Sequence, residues 1–223
     1  SDTEVVLNSL VEWGVSAFER FEGMFAIAIW DPNKHKLFLI RDRFGIKPIY
    51  FFHSDKIFAF SSEIKPLINF NINPKLKKLS LINYLQFGTT TISNETFFEN
   101  IFSVPSGTIL IFYKNKKLLT KYWSLEKNLH NNFYNLDEHD VEKEFFNLTN
   151  KVVSDHLISD VPVGLALASG SDSQFILNSI KNISQQKIEC FTYGFNERKY
   201  DEIRKIKTML FRLVVSLDAT PIC

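Results

Sequence analysis

Apolar and polar positions divide the chain into two stretches of different periodicity. In the first, short runs rich in aromatic and β-branched residues are separated by turn signals such as Asp31-Pro32-Asn33. Runs of this kind predict strands. Consecutive strands joined by short turns usually pair with each other, so this stretch predicts an antiparallel meander. The four predicted strands are Met24–Trp30, Lys36–Ile40, Lys47–Phe52 and Ile57–Phe60.

Helices and a hairpin complete the first stretch. Ser1 and Glu4 match a capping box and Gly14 supplies a stop, which predicts a helix over Asp2–Trp13. Other predicted elements are a helix from Ser62, a helix from Ser80 to about Phe87, and a hairpin of Thr108–Tyr113 with Lys117–Tyr122 around Asn115.

The second stretch alternates helices and strands, which predicts a parallel sheet. The strand Val163–Ala168 has no polar alternate, and this favours a strand covered on both faces. Its neighbours are the helix Val141–Leu157, the helix Gln174–Ile183, the strand Ile188–Tyr193 and a helix from Asp201 to about Phe211. A polar segment separates the two stretches. We therefore predict two domains, residues 1–123 and 138–223, joined by a linker over 124–137.

Composition excludes several classes of function. The sequence has 26 Lys and Arg residues and 25 Asp and Glu residues, a formal net charge of +1. Net charge therefore gives the protein no overall electrostatic attraction to nucleic acid or to an anionic membrane. There is no apolar run of about 20 residues and no signal-peptide pattern at the start, so we expect a cytoplasmic protein without membrane contact. Cys190 and Cys223 do not form a disulfide framework, and Cys190 is predicted to be a core residue.

The loop after the strand Val163–Ala168 is the first candidate for chemistry. Ala168-Ser169-Gly170-Ser171 is free of bulky side chains, and Asp172 or Ser173 is predicted to cap the next helix. Backbone N–H groups and the positive end of a helix dipole meet at such a turn, so it favours an anion. The two commonest nucleotide-binding motifs, the Gly-x-x-x-x-Gly-Lys-Ser/Thr phosphate loop and the Gly-x-Gly-x-x-Gly fingerprint, are absent from the sequence. From the loop alone, the alternative to an anion site is a simple connection between a strand and a helix.

Segments along nearly all of the chain resemble those of glutamine-hydrolysing asparagine synthetases. Residues 159–173 are similar to the family's Ser-Asp-Val-Pro-x-Gly-x-x-Leu-Ser-Gly-Gly-x-Asp-Ser run, which carries its pyrophosphate loop. The remaining similar segments are Gly23–Asp31, Arg41–Tyr50, Ser62–Leu67, Val104–Gly107 and Tyr122-Trp123.

The resemblance implies a fold and a reaction. The fold is α/β and α+β in two domains: part of an N-terminal-nucleophile-hydrolase αββα sandwich, the C-terminal portion of a class II glutamine amidotransferase domain, followed by part of a parallel-sheet pyrophosphate-loop domain of the adenine-nucleotide α-hydrolase-like type. In the family an N-terminal Cys releases ammonia from glutamine. The second domain uses ATP and Mg²⁺ to adenylate aspartate, and ammonia displaces AMP. Glutamine, aspartate and ATP are thus the implied substrates, and a homodimer stays open.

The resemblance also implies binding residues. Asp2 falls where the family binds the α-amino group of glutamine, with a first-turn helix residue as the alternative. Leu167 and Tyr193 fall where strand ends line the adenine, with core packing and a strand-end aromatic as alternatives. The pyrophosphate loop corresponds to Ser169, Gly170, Asp172 and Ser173.

Departures from the family pattern fall on the same loop. Ala168 replaces a Ser, Ser169 a Gly, Ser171 an apolar residue and Gln174 a Ser, so ATP binding is expected to be weaker. Tyr193 replaces a smaller residue. Separately, Arg41-Asp42-Arg43 is predicted to be an ion-pair cluster at a strand end.

The chain opens at Ser1, a predicted helix cap, so we expect a fragment with no catalytic nucleophile of its own and without the later Ser-Gly-Glu-Gly loop. The segment Leu213–Cys223 has no counterpart in the pattern. The predicted function is an asparagine-forming amide ligase. Two alternatives stay open: an amidotransferase acting on a sugar or antibiotic precursor, and a degenerate, non-catalytic binding module.

Overall fold

A computed structural model describes residues 1–69, 75–89, 94–129, 137–184, 188–194, 197 and 201–211, without the side chains of 128 and 208–211. The chain forms two compact units, Ser1–His130 and Asn131–Cys223. Residues 130–136 of the predicted linker, and the segment Leu213–Cys223, lie outside the described residues. Within the described ranges, no helix is both long and apolar enough to cross a membrane.

The first unit opens with helix α1, Asp2–Trp13, at the predicted bounds. Gly14 ends it with φ 60°, and the Gly14 N–H donates to the carbonyl of Leu10. The predicted capping box is wrong in one part, because the Ser1 side chain makes no capping hydrogen bond. The Glu4 carboxylate instead lies 3.6 Å from the charged amino group of Ser1. A short helix α2, Ala17–Arg20, follows a single 3-10 turn.

Seven strands of this unit form two antiparallel sheets. Sheet A has the order β1-β2-β6-β7 and sheet B the order β4-β3-β5. The strands are β1 Ala26–Asp31, β2 Lys36–Arg41, β3 Tyr50–His53, β4 Phe58–Ser61, β5 Ile101–Ser103, β6 Thr108–Tyr113 and β7 Lys116–Lys121. The predicted meander is therefore wrong, since its two hairpins belong to different sheets. The physical reason is the loop between β2 and β3, which Asp42 holds in a shape that is not a hairpin turn.

The two sheets pack face to face. Leu39 of β2, Phe51 of β3 and Leu110 of β6 belong to one buried cluster. Phe58 of β4 stacks on Phe112 of β6 with their ring centroids 4.0 Å apart. Sheets meeting through alternate side chains form an ordinary sandwich core.

Helices cover the outer faces of the two sheets. Phe18 of α2 packs against Ile40 of sheet A. On the other side, Leu67 of helix α3, Ile64–Asn69, packs against Phe52 of sheet B. The layers of this unit thus run helix, sheet, sheet, helix, while the classification as an N-terminal-nucleophile hydrolase stays a prediction.

The first unit contains two further described helices, of which the sequence pattern predicted one and missed the other. Helix α4, Lys78–Phe87, begins two residues earlier than predicted and ends at Gly88 with φ 67°. Helix α5, Leu125–Asn128, is a single turn inside the predicted linker. The Ser124 hydroxyl caps it by accepting from the Lys127 N–H. The polar composition of residues 124–137 therefore predicted a linker where one turn of helix is present.

The second unit contains a parallel pair of strands, as its alternating pattern predicts. Strand β8, Gly164–Ala166, pairs with β9, Glu189–Phe191. The helices are α6 Glu138–His156, α7 Ser171–Ile183 and α8 Ile203–Phe211.

The prediction of a strand covered on both faces is wrong for β8. Gly164 and Ala166 are exposed and Leu165 is half-buried. The described core lies on one face, where α7 and α8 pack against the strands, and its buried members are Leu167, Leu177, Cys190 and Ile206. Cys190 is thus a core residue as predicted, and burial raises the pKa of its thiol.

Candidate functional site

The candidate loop connects the carboxyl end of β8 to helix α7. The Leu167 N–H donates to the Phe191 carbonyl, with N and O 2.7 Å apart, so the strand pairing extends one residue past β8. Helix α7 then begins at Ser171 with Gly170 as its N-cap. The predicted cap by Asp172 or Ser173 is wrong, because the helix begins three residues earlier than predicted and both residues lie in its first turn.

Ser173 closes the loop with one hydroxyl group. Its Oγ donates to the Ala168 carbonyl at 2.9 Å and accepts from the Ala168 N–H at 3.1 Å. Both backbone groups of Ala168 are therefore satisfied inside the loop. The serine that the family pattern has at position 168 is not needed for this closure.

The backbone of Ser169 is held from both sides. Its N–H donates to Glu202 Oε2 at 2.9 Å, and its carbonyl accepts from Gln174 Nε2 at 2.7 Å. Gln174 is one of the departures from the family pattern, and here it supports the loop. Sequence reasoning missed Glu202, which lies far along the chain beside the start of α8.

The loop offers an open end to an anion. Among the described residues, no side chain caps the N-terminus of α7, where the N–H groups of the first turn and the helix dipole favour negative charge. A Cβ built on Gly170 meets no atom within 4 Å, and its φ of −75° suits any residue, so backbone geometry does not require this glycine. The open space in front of it is what a phosphate group would fill.

A carboxylate lies at the same end of α7. Asp172 is exposed in the first turn, and its Oδ1 accepts from the Ser171 hydroxyl at 3.1 Å. Mg²⁺ is commonly held by one or two carboxylates together with substrate phosphates. The donor set of this loop therefore suits a phosphate chain carrying Mg²⁺.

The two strand-end residues predicted to line an adenine have different environments. Leu167 is 3% exposed and belongs to the core, which agrees with core packing, the alternative to an adenine-lining role for this residue. Tyr193 follows the end of β9 and is 70% exposed. Both lie past the carboxyl ends of paired parallel strands, the side on which open α/β sheets bind ligands. Their roles toward adenine stay predictions.

In the first unit, Asp2 is exposed in the first turn of α1. It lies at the N-terminal end of the helix dipole, which satisfies the structural alternative for this residue. The role of Asp2 toward glutamine stays a prediction.

The prediction of an ion-pair cluster at Arg41-Asp42-Arg43 is wrong. Among the ion pairs of the described residues, none joins Asp42 to an arginine. Asp42 is 1% exposed, and its carboxylate accepts from backbone N–H groups that converge on it. The four donors are Phe25, Phe44, Ile46 and Lys47, at 2.9 to 3.3 Å.

Arg41 binds carbonyl oxygens instead of the neighbouring carboxylate. Its guanidinium donates to the Gly45, Lys47 and Val104 carbonyls and to the Ser103 hydroxyl. The side chain thereby ties the 42–47 loop to the end of β5. A planar fork with five donors is suited to this task.

Tyr122 and Gly107 belong to the same hydrogen-bond network as Arg41 and Asp42. The Tyr122 hydroxyl donates to the Arg41 carbonyl at 2.9 Å. Burial raises the pKa of Tyr122 to about 12; the Asp42 charge also raises it, while Arg43 lowers it. The Gly107 N–H donates to the Asp42 carbonyl at 2.8 Å. Three of the segments that carry the family resemblance thus meet at one place.

Comparison with known proteins assigns the two halves separately. Residues 1–123 match the family model described as a glutamine amidotransferase domain, and residues 144–216 match that of asparagine synthase.

Relatives of the whole chain are similar to it at about the same level. A putative glutamine-hydrolysing asparagine synthetase of Methanocaldococcus jannaschii is 31% identical over 94% of this chain and 41% of its own length. Asparagine synthetase 2 of Bacillus subtilis is 36% identical over 86% of this chain and 26% of its own length. An amidase of Gibberella zeae is 27% identical over 88% and 31%, respectively.

The chain therefore spans less than half the length of these relatives. The two family models follow each other along it in the order of the two structural units. The chain belongs to the glutamine-hydrolysing asparagine synthetase family.

Proposed function

We propose that this chain is part of an ATP-dependent amide ligase that converts aspartate, glutamine and ATP to asparagine, glutamate, AMP and pyrophosphate. The observation that carries the proposal is the loop at the end of β8. It joins parallel strands to the uncapped N-terminus of α7, and internal hydrogen bonds fix its shape. Membership of the family supplies the reaction class.

Three groups at the end of the paired strands have a task in this proposal: the first turn of α7, Asp172, and the pair Tyr193 and Leu167. The first-turn N–H groups of α7 bind phosphate oxygens, because they are otherwise unsatisfied donors at the positive end of a dipole. The Asp172 carboxylate would hold Mg²⁺, which when bound would offset the phosphate charge. Tyr193 offers an exposed ring to the adenine, and the buried Leu167 supports that surface from the core.

Asp2 serves the other half of the reaction. Its exposed carboxylate pairs with the α-ammonium group of glutamine, an interaction of opposite charges that orients the side-chain amide. Release of ammonia belongs to the amidotransferase unit, and its use belongs to the unit with the loop.

The acceptor of the ammonia has a second candidate. Two relatives at 27% identity, from Gibberella zeae and Penicillium rubens, are described as amidases instead of asparagine synthetases. The alternative is a transfer to another carboxylate, such as an antibiotic or sugar precursor. The ATP loop would serve both reactions.

Calorimetry of the full chain with Mg-ATP tests the nucleotide site. We expect wild type to bind, and Ser169→Gly to bind more tightly because backbone can then approach phosphate more closely. Asp172→Asn should weaken binding about tenfold, which corresponds to about 1.4 kcal/mol. Asp160→Asn, an exposed carboxylate ahead of β8, is the matched control and should leave affinity unchanged.

The opposite result is equally informative. If neither wild type nor Ser169→Gly binds Mg-ATP, the ligase proposal fails for this chain, and the degenerate, non-catalytic module replaces it. If ATP binds and Asp172→Asn has no more effect than the control, Asp172 has no part in the site.

A further inference from the structure

Glu202 lies against the candidate phosphate loop although it is distant in sequence. Its Oε2 accepts the Ser169 N–H at 2.9 Å. We propose that Glu202 is a positioning residue: it fixes the Ser169 peptide so that an anion meets the N–H groups of the first turn of α7 and not that of Ser169. The role in anion binding rests on the proposed ATP site, whereas the fixing of the peptide does not.

The hydrogen bonds within the loop leave few donors for a ligand. Both backbone groups of Ala168 bond to the Ser173 hydroxyl. The carbonyl and N–H of Ser169 bond to Gln174 and Glu202. The backbone groups of Ala168 and Ser169 are thus satisfied internally, whereas no side chain in the described part of the chain caps the N-terminus of α7.

Packing of α8 against the core sets the position of Glu202. It immediately precedes α8, whose Ile206 is fully buried beside Leu167 in the core. The Ile203 side chain packs so closely on Gly194 that a Cβ built on that glycine would clash with it. The start of α8 and the residue ahead of the loop are therefore held by the same core.

Variants of Glu202 with and without a side-chain oxygen distinguish two roles for this residue: holding the Ser169 peptide, and competing with ATP for the phosphate position. A carboxylate that merely occupied the phosphate position would compete with ATP, so both Glu202→Ala and Glu202→Gln would tighten binding. A positioning acceptor behaves differently, because Gln keeps an oxygen for the Ser169 N–H and removes like-charge repulsion toward phosphate. Gln should then preserve or improve affinity, whereas Ala should reduce it.

The binding experiment uses the full chain with Mg-ATP and, separately, with pyrophosphate. Glu202→Ala is expected to bind about tenfold more weakly than wild type, as for the loss of a hydrogen bond to a charged group. Glu202→Gln should bind at least as tightly as wild type. Glu197→Ala changes an exposed glutamate in the same stretch and should bind as wild type does. Tighter binding by Glu202→Ala would overturn the proposal.

A second measurement does not depend on ATP. Amide hydrogen exchange of Ser169, followed by NMR without ligand, should become at least tenfold faster in Glu202→Ala and stay near wild type in Glu202→Gln. The amide of Leu177 in the core of α7 reports whether the unit is still folded. If Ser169 exchanges equally in all variants while Leu177 stays protected, Glu202 does not position the loop. If exchange changes as expected but wild type binds no Mg-ATP, the proposed function fails instead.

Discussion

Replacing Asp42 by Asn should destabilise the first unit strongly, although the two side chains have nearly the same shape. The Asp42 carboxylate is 1% exposed and accepts four backbone N–H groups. Oδ1 takes those of Phe44 and Ile46, and Oδ2 takes those of Lys47 and Phe25. Whichever way an amide is turned, its NH₂ group faces two N–H donors.

The magnitude follows from this count. A hydrogen bond to a charged group contributes about 1.5–3 kcal/mol, and a buried donor left without its acceptor costs about 1–3 kcal/mol. Two lost bonds at about 1.5–3 kcal/mol each therefore predict a loss of about 3–6 kcal/mol in the free energy of unfolding. Such a loss is a large share of the roughly 5–15 kcal/mol that stabilises an ordinary domain.

Urea unfolding of the full chain, followed by tryptophan fluorescence, measures this loss. The tryptophans Trp13, Trp30 and Trp123 all lie in the first unit, so the signal reports that unit. With a urea slope of about 2 kcal/mol per M, a loss of this size moves the urea midpoint down by roughly 1.5–3 M. Asp55→Asn removes a charge at an exposed turn and should change stability by less than about 0.5 kcal/mol. A midpoint for Asp42→Asn within 0.2 M of this control, on the order of the error of such a measurement, would refute the reasoning.

Two further predictions concern the same network. The neutral phenol of Tyr122 is favoured in the folded state because its pKa is raised from 10.0 to about 12. The contribution of this pKa shift to the free energy of unfolding is complete below pH 10 and declines toward pH 12. The stability advantage of wild type over Tyr122→Phe, measured by urea titration, should therefore shrink across that range. An advantage that stays constant from pH 10 to pH 12 would contradict the prediction. Gly107→Ala should cost more than about 2 kcal/mol in thermal unfolding, since its Cβ would lie 2.6 Å from the Trp123 carbonyl at φ 59°. Gly88→Ala, with φ 67° and nothing within 4 Å, should cost only about 1 kcal/mol, and equal losses would show that the close contact is not the cause.

Local signals predicted the elements well where the residues that decide them are adjacent in sequence. Helix α1 has the predicted bounds because a glycine with positive φ stops it, and β6 and β7 surround the predicted turn. The three-residue strand β5 was missed, since Ile101–Ser103 is too short to show a period. The allocation of hairpins to two sheets was missed too, because the loop after β2 is held by contacts between distant residues, such as the hydrogen bond from the Phe25 N–H to the Asp42 carboxylate, that no local pattern reveals.

The candidate loop shows the same limit. Its small residues and following helix were predicted from sequence, and so was its place at the end of a parallel strand. The predicted helix cap was wrong because α7 begins three residues earlier than predicted, which places Asp172 and Ser173 inside its first turn. Glu202 could not be found, because its contact with Ser169 depends on how α8 packs against the core, which the sequence of the loop does not contain.

Sheet A has a consequence for synthesis of the protein. Leu39 of β2 pairs with Leu110 of β6, and the whole of sheet B's first hairpin, α3 and α4 lie between them in the chain. While the ribosome makes those residues, β2 has one unpaired edge carrying apolar side chains. An exposed edge of that kind can pair with the edge of another nascent chain. Until the hairpin of β6 and β7 emerges, this edge of β2 has no partner strand in sheet A.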